Sequence, residues 1–337
     1  MKIRNIPKSA RKDYYKKVFF GSNDRRGVIM TFVVYLLLIT IAFIYLYPVL
    51  YMFSRSLMDK KDLLDASAKW IPSTITASNY TSAIATMDYW NSLGKNVAIA
   101  LVSTICQVFV CSWVGYGFAR YKFPGKYLWM GILILSFLLP PQTTAVPNFL
   151  LFNNDIPLFF KNLFGVNMSI IDGTLKPFII TSILGQGLKS CLCILIFFNF
   201  HRQVPQSLIE ASEIDGAGHI KAYFQIAIPL SMAAIIVVTL FSFVWYWNEV
   251  DIVRTYLGSS NDRNKGLTTL MLELNKFEDS YNAVYATHAQ STTSTNKLND
   301  AIKMAGTMLS IAPLLVMYFF LQKQFVESVD KAGITGE

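Results

Sequence analysis

The residues able to do chemistry are concentrated in one polar segment, "EASEIDGAGHIKAYFQIAIPL", which runs from Glu210 to Leu230. Its carboxylates and histidine are types that serve in acid–base catalysis or as metal ligands. The three histidines of the chain are nevertheless scattered, at His201, His219 and His288, without an H-E-x-x-H pattern, and no G-x-S-x-G elbow occurs. The sequence therefore predicts no metal site and no intrinsic enzymatic activity.

A second candidate is "GQGLKS", from Gly185 to Ser190, which has a superficial likeness to a phosphate-binding loop. The spacing G-x-x-x-x-G-K-[ST] is not met. The segment also lies in a long apolar run, and a phosphate cradle needs backbone amides exposed at a helix start. We therefore expect this chain to bind no nucleotide and no other cofactor, and not to hydrolyse ATP.

The rest of the chain is strongly apolar. Of its 337 residues, 53% are hydrophobic and only 15% are charged, and the mean hydropathy is +0.40. Soluble domains usually carry about 25% charged residues. Because a helix needs ~20 apolar residues to cross ~30 Å of hydrocarbon, the long apolar blocks predict a membrane protein.

Six segments are long enough to span a bilayer, at about 28–53, 97–118, 127–152, 177–200, 230–253 and 301–321. In hydrocarbon each backbone amide must be paired within its own segment, so we interpret all six as helices. None shows the alternation of a barrel strand. The predicted fold is an all-α integral membrane protein, with a basic segment over 1–27, a six-span membrane domain over 28–322 and a tail over 323–337.

The distribution of cations orients these spans. If the N-terminus is cytoplasmic, that side carries 16 Lys and Arg against eight acidic residues. The other side carries 13 of each when charged residues near the outer ends of the spans are included. Cytoplasmic loops are the cation-rich ones. Both termini and loop 201–229 are thus predicted inside, and the loop over about 254–300 outside. The net charge of +9 reflects this topology and does not indicate nucleic acid.

Loop 201–229 contains two predicted amphipathic helices. The first follows Pro205, and its apolar residues fall near one face at helical spacing. Gly216 can then take a left-handed C-cap, and Asp215 can cap the next helix. The apolar face of that second helix comprises Ile220, Tyr223, Phe224 and Ala227. Pro229 ends or kinks it. The pair is either a solvated connector or a docking element for a groove on a partner.

At this loop the chain resembles the permease subunits of bacterial type I ABC importers. That family's loop pattern, "EAA…DGA…F…I.LP", is matched by Glu210-Ala211-Ser212, Asp215-Gly216-Ala217, Phe224, Ile226 and Ile228-Pro229. The stretches 79–126, "LLPPQTTAVPNFLLF", "FVWYWNE" and "FVESVDKAGITGE" are similar to the carbohydrate-importing, maltose-permease-like branch. Ser212 and Ala233 depart from the pattern, standing where the family has a second alanine and often a second proline.

The resemblance implies a type I importer membrane domain in the bacterial cytoplasmic membrane, in contact with lipid. It implies that loop 201–229 is the coupling helix held in a cleft of an ATPase subunit, with Glu210, Asp215 and Gly216 in the docking element. Ile220 and Phe224 would supply its apolar contacts.

The implied partners are a second homologous permease, two ATPase subunits that hold ATP and Mg²⁺, and an extracytoplasmic solute-binding protein that delivers a carbohydrate. Two other functions stay open from the residues alone. One is a secondary transporter driven by an ion gradient, and the other is an ABC importer for a non-sugar solute.

Two groups of residues inside the spans are candidates for a translocation path. Lys189 falls in the fourth span, where a cation costs about 2.5–3.5 kcal/mol, so it faces a cavity or partner, pairs between subunits, or snorkels. Pro140-Pro141 interrupts the third span, and Gln142 and Thr143 follow at once. Neighbouring hydroxyls can bond the freed carbonyls. The break either lines a water-filled route or is a packing kink.

A third group, Trp247, Asn248 and Glu249, lies towards the outer end of the fifth span. An aromatic platform beside amide and carboxylate acceptors suits the apolar faces and hydroxyl edges of a sugar. The alternative is an aromatic belt at the membrane interface.

Overall fold

The computed structural model describes residues 21–22, 25–65, 70–165, 170–171, 174–214, 216–257, 268–286 and 300–334. Two short strands, β1 (Gly21–Ser22) and β2 (Arg25–Arg26), pair antiparallel, with Gly21 opposite Arg26 and Ser22 opposite Arg25. The helices before the fourth predicted span are α1 (Val28–Ser56), α2 (Lys60–Leu64), α3 (Ser78–Thr86), α4 (Tyr89–Arg120), α5 (Lys126–Leu138), α6 (Pro141–Leu150), the π-helical π1 (Leu151–Asp155) and α7 (Ile156–Phe164).

Later in the chain come α8 (Lys176–Ile183), α9 (Ser190–Gln203), α10 (Gln206–Ile214), α11 (His219–Ala222), the π-helical π2 (Tyr223–Ala227), α12 (Ile228–Leu230), α13 (Met232–Trp247), α14 (Asp251–Leu257), α15 (Leu270–Asn275), α16 (Phe277–Ala286) and α17 (Asp300–Ile334). Apart from β1 and β2, every regular element in the described ranges is helical.

Three helices of the described residues are long and apolar enough to cross a membrane: α1, α4 and the Asp300–Gln324 part of α17. The 29 residues of α1 span ~43 Å at 1.5 Å per residue, more than the ~30 Å of hydrocarbon. None of the apolar window of α1 is buried inside the protein. A helix that is apolar all round belongs in a non-aqueous environment, here lipid or neighbouring subunits.

Two further pairs of helices each qualify as one span that is bent. The α5 helix meets Thr143–Phe164 at 107°, and His219–Leu230 meets α13 at 78°. The first bend follows the predicted proline pair, because proline cannot donate to the helical ladder. The hydroxyl of Thr143 donates to the carbonyl oxygen of Pro140 at 2.7 Å. The expected interruption of the third span is confirmed. The carbonyl oxygens that lose a donor to Pro140 and Pro141 are those of Ser136 and Phe137, and the pairing of these oxygens with neighbouring hydroxyls stays a prediction.

The prediction of one continuous fourth span over about 177–200 is wrong. The α8 helix ends at Ile183 and α9 starts at Ser190, and we call the residues between them the 184–189 break. Gly185 (φ +71°) and Lys189 (φ +51°) take left-handed backbone conformations there. A Cβ on Gly187 would lie 2.5 Å from Gln107 Oε1 and would also collide with the hydroxyl of Tyr246. The break therefore requires glycine at position 187.

The chain divides into two compact units, one formed by residues 1–79 and 299–308 and the other by 80–298 and 309–337. Within the first unit, the Asn79 amide donates to the carbonyl oxygens of Ser56 and Met58 at 3.0 and 2.9 Å.

A second contact of the first unit joins Ser73 to Asp62, through the Ser73 hydroxyl at 2.7 Å and its backbone amide at 2.9 Å. The hydroxyl bond is the main reason why the pKa of the Asp62 carboxyl lies below its ordinary value, since it stabilises the ionised form. These bonds hold together the segment that follows α1.

Within the second unit, α4 is central and packs against α8, α9 and α13. A Cβ added to Gly115 of α4 would lie 2.7 Å from Phe197 Cβ and 3.0 Å from backbone atoms of Ile194 and Phe198. Small residues of this kind let two helices in a membrane approach closely. The core beside this contact consists of Cys111, Cys193, Ile194, Phe197, Ala234 and Val238.

We predict that Gly115→Ala destabilises the second unit by about 1–3 kcal/mol, because the added methyl group overpacks the contact between α4 and α9. The matched control is Gly117→Ala on the same helix, where a Cβ would meet nothing within 4 Å. Thermal unfolding of the purified proteins in one detergent measures both effects. Equal melting temperatures for Gly115→Ala and the wild type would contradict the close approach.

Candidate functional site

Loop 201–229 folds into the two short helical segments that the sequence predicts. Gly216 has φ +81°, as expected. The Ala217 amide donates to the Ser212 carbonyl oxygen at 2.9 Å, which is the six-to-one bond of a Schellman motif and ends α10. The N-cap of the second segment is Gly218 and not Asp215 as predicted. Asp215 itself lies outside the described residues.

One side of the loop is anchored in the second unit. Tyr116 of α4 packs in a single buried cluster with loop residues Val204, Ile209, Ala222, Tyr223 and Ala227. The guanidinium of Arg120, at the end of α4, also donates to the carbonyl oxygen of Val204. The loop is therefore fixed to α4 by apolar contacts and a hydrogen bond.

The other side of the loop is uncovered, and we call it the outer face. It contains Leu208, Ile214, Ile220 and Phe224, which are 45%, 87%, 63% and 46% exposed. Glu210 and Ala211 are exposed too, while Ser212 is half-buried and donates to the Ile209 carbonyl oxygen at 2.7 Å. Glu210 Oε1 accepts a hydrogen bond from the Gln206 side chain at 2.9 Å.

The expected shared face of Ile220, Tyr223, Phe224 and Ala227 is wrong. Tyr223 and Ala227 are buried, whereas Ile220 and Phe224 point outward. The physical reason is π2, since a π-helical turn holds more residues than the α-helical turn on which the prediction was based. Pro229 falls in the first positions of α12, just before the 78° bend.

A chain of buried hydrogen bonds connects the loop to α4, α9 and the bend. The Tyr223 hydroxyl donates to Ser112 Oγ at 2.9 Å, and Ser112 Oγ lies 3.3 Å from His201 Nε2. His201 Nδ1 lies 3.0 Å from Oγ of Ser231, the residue at the bend. All four side chains are at most 2% exposed. Sequence reasoning missed this role of His201, because its partners lie 89 and 30 residues away.

A cavity of about 590 Å³ lies within the second unit, beside α5, α6 and the 184–189 break. Ligand pockets typically measure roughly 300–1,000 Å³. Its polar lining includes Thr144 and Asn148 from α6 and Gln186 and Lys189 from the break. Among the described residues that line it there is no Asp or Glu.

Of the predicted path residues, Lys189 lines this cavity, and its Nζ lies 4.7 Å from the ring centroid of Trp245. Pro140 and Thr143 do not line it, although the next residue, Thr144, does. The side chains of Pro141 and Gln142 lie outside the described part of the structure.

The expectation that Trp247 offers an aromatic face to a ligand is not met. Trp247 is 1% exposed, stacks on Phe243 and donates from Nε1 to the Ser310 carbonyl oxygen at 3.3 Å. Asn248 donates to the Val244 carbonyl oxygen at 2.8 Å, and Glu249 Oε1 accepts from the Ile252 amide at 2.9 Å. A role for Asn248 and Glu249 in a path stays a prediction.

Residues 108–331 match the family described as the binding-protein-dependent transport system inner membrane component. The chain belongs to this family. The match includes the 184–189 break and all of loop 201–229. The family lies in the inner membrane, and its members work with other subunits of an ABC importer, so the resemblance to ABC permeases is confirmed.

Individual relatives match along most of their length. The chain is 25% identical over 302 residues to the osmoprotective compounds uptake permease protein GgtD of Synechocystis sp., covering 88% of this chain and 89% of GgtD. It is 23% identical over 303 residues to the polygalacturonan/rhamnogalacturonan transport system permease protein YtcP of Bacillus subtilis, covering 90% and 97%.

A solved structure has the same fold. It is the crystal structure of a bacterial ABC transporter involved in the import of the acidic polysaccharide alginate. The likeness has a TM-score of 0.66 at 19% identity and covers 88% of this chain and 96% of the matched chain.

We predict that Gly216→Val reduces transport and its coupling to ATP hydrolysis while membrane insertion stays intact. A left-handed residue other than glycine costs roughly 1–2 kcal/mol, so valine would displace the outer face. Gly218→Ser is the control, since Gly218 has φ −67°, has nothing within 4 Å of an added Cβ, and is an N-cap, where serine is favoured. Uptake and ATPase assays on reconstituted complexes compare the two, and normal coupling in Gly216→Val would exclude the bend as a requirement.

We also predict that Tyr223→Phe lowers stability by about 0.5–1.5 kcal/mol, because it removes one buried hydrogen bond and keeps the ring. Tyr127→Phe serves as the control, since Tyr127 is 89% exposed. Melting temperatures in detergent give the comparison. If both substitutions have the same small effect, the bond from Tyr223 to Ser112 does not stabilise the loop.

Proposed function

We propose that the chain is the permease subunit of an ABC importer for a carbohydrate, and that it forms half of the translocation pathway. The observation that carries the proposal is the outer face of loop 201–229. Apolar surface gains about 25 cal/mol per Å² when it leaves water, and helix-in-groove recognition uses anchors at helical spacing. An ATPase subunit that covers the outer face provides that burial.

The contacts on the anchored side of the loop support a route by which motion of the ATPase subunits reaches the membrane helices. When ATP binding closes the ATPase pair, motion of the outer face is passed to α4 through Tyr116 and to α13 through the bend at Ser231. The two helices then change their position in the membrane, which is what alternating access requires. In this proposal ATP and Mg²⁺ are held by the two ATPase subunits, and the chain itself binds no cofactor and catalyses no reaction.

The proposed assembly has further parts. A second homologous permease supplies the other half of the pathway, and an extracytoplasmic binding protein delivers the solute. A carbohydrate is favoured because YtcP is named for polygalacturonan and rhamnogalacturonan, and the solved structure for alginate. The cavity beside the 184–189 break also combines aromatic, hydroxyl and amide groups, which suit a sugar.

Cysteine accessibility tests this proposal. Ile214 and Ile75 are 87% and 77% exposed, and the predicted topology puts Ile214 inside and Ile75 outside. In a complex co-expressed with its ATPase, we expect Ile214→Cys to crosslink to the ATPase. When the permease is expressed without the ATPase, a membrane-impermeant maleimide should label this cysteine only in inside-out vesicles. Ile75→Cys should be labelled only from the outside and should form no crosslink.

Two results would reject the proposal. Labelling of Ile214→Cys from outside would reverse the topology and remove the loop from the ATPase. Solute uptake that follows a proton or sodium gradient, and is independent of ATP, would favour a secondary transporter.

A further inference from the structure

We infer that the 184–189 break and the start of α9 form a binding site for the negatively charged group of an acidic carbohydrate, as in a uronic acid. The inference deepens the proposed function and rests on it for the carbohydrate part of the ligand. The site includes the segment "GQGLKS". A continuous fourth span would have hidden the backbone amides of this segment.

This segment is a break between two helices and not part of a continuous span. The α9 helix, 14 residues long, begins at Ser190, directly after the break. Lys189, Ser190 and Cys191 all line the cavity, so the positive end of the helix dipole lies at its wall. Of the first four amides of α9, those of Ser190, Leu192 and Cys193 already donate to the carbonyl oxygens of Gly187 and Lys189. The dipole of the helix is therefore what favours an anion at this wall of the cavity.

A second, independent observation is the hydroxyl of Ser190. The residue is 4% exposed, and its Oγ has no hydrogen-bond partner in the structure. A buried donor left unpaired is unfavourable. After a side-chain rotation, this hydroxyl would donate a hydrogen bond to a ligand oxygen in the cavity.

The third observation is the ammonium group of Lys189. It lies over the ring of Trp245, and no carboxylate forms an ion pair with it in the described part of the chain. Glu249 is close enough to interact with it electrostatically, but the Oε1 of Glu249 is bonded to the Ile252 amide. Among the described residues that line the cavity, Lys189 carries the only charge, so the cavity favours an anion.

The site is also held rigid. The Gln107 amide donates to the Leu188 carbonyl oxygen at 2.8 Å, and the Leu188 amide donates to the Tyr246 hydroxyl at 3.2 Å. Tyr246 in turn donates to Gln107 Oε1 at 2.6 Å. These bonds keep Lys189 in its left-handed conformation, which a non-glycine residue holds only when its surroundings impose it. A preorganised charge loses less entropy on binding.

The remainder of the cavity suits the sugar ring. Trp129 and Tyr256 offer aromatic surface, and Asn148 and Gln186 offer amide groups. Apolar sugar faces stack on the former, and hydroxyl groups bond to the latter.

Binding of two matched disaccharides tests the inference. The probes are digalacturonate and its neutral digalactose counterpart, titrated calorimetrically into the complete transporter in nanodiscs. We expect the wild type to prefer digalacturonate by about tenfold or more, since it adds a charge-assisted bond. Lys189→Met should abolish this preference, and Glu249→Gln should increase it. Lys161→Met is the control for overall charge, because Lys161 does not line the cavity, and it should leave the preference unchanged.

Ser190→Ala separates binding from folding. Because the hydroxyl has no partner in the free protein, we expect a melting temperature no lower than that of the wild type and a several-fold loss of digalacturonate affinity. Equal binding of both disaccharides by the wild type, or an unaltered preference in Lys189→Met, would overturn the inference. A complex that couples ATP hydrolysis to import of a neutral sugar but ignores digalacturonate keeps the proposed function and rejects this site. A chain that never assembles with an ATPase rejects the proposed function itself.

Discussion

Inside a bilayer, every backbone amide and carbonyl that leaves a helix must find another partner, because the hydrocarbon offers none. The interruptions of this fold meet that requirement with specific side chains. At the start of α6, the carbonyl oxygen of Pro140 accepts hydrogen bonds from both the amide and the hydroxyl of Thr143. In the 184–189 break, the carbonyl and amide of Leu188 are bonded by Gln107 and Tyr246. Polar side chains at these depths therefore make non-helical backbone possible where a cavity is needed.

The same requirement links the cavity to loop 201–229. Gln107 and Tyr116 belong to one helix, α4, and the first holds the 184–189 break while the second packs against loop 201–229. In the proposed function, a displacement of the loop therefore moves the helix that holds the 184–189 break at the cavity wall. Buried hydrogen bonds through His201 and Ser231 join the bend before α13 to the same helix. Apolar contacts and a chain of buried hydrogen bonds therefore both connect the loop to the membrane helices.

Local signals were enough to predict the apolar helices, the interruption at Pro140 and the left-handed Gly216, since proline and glycine act within a few residues. They did not predict the 184–189 break, because the residues around it are so apolar that the average hydropathy of the segment does not reveal its glycines. The residues that stabilise the break, Gln107 and Tyr246, lie far away in sequence, and no periodicity connects them to it. Loop 201–229 was recognisable from its local sequence pattern. The cavity and most of the residues that line it were not, because those residues come from distant segments of the chain.

The exposed surface of α1 has a consequence for biosynthesis. With none of its apolar window buried, α1 can pass from the translocon into lipid as soon as it is made. The α8 and α9 helices, of 8 and 14 residues, are each too short to partition alone. Tyr246, which helps to pair the backbone between them, is synthesised afterwards. The middle of the protein can therefore reach its final depth only when a later helix has arrived, so insertion is completed out of chain order.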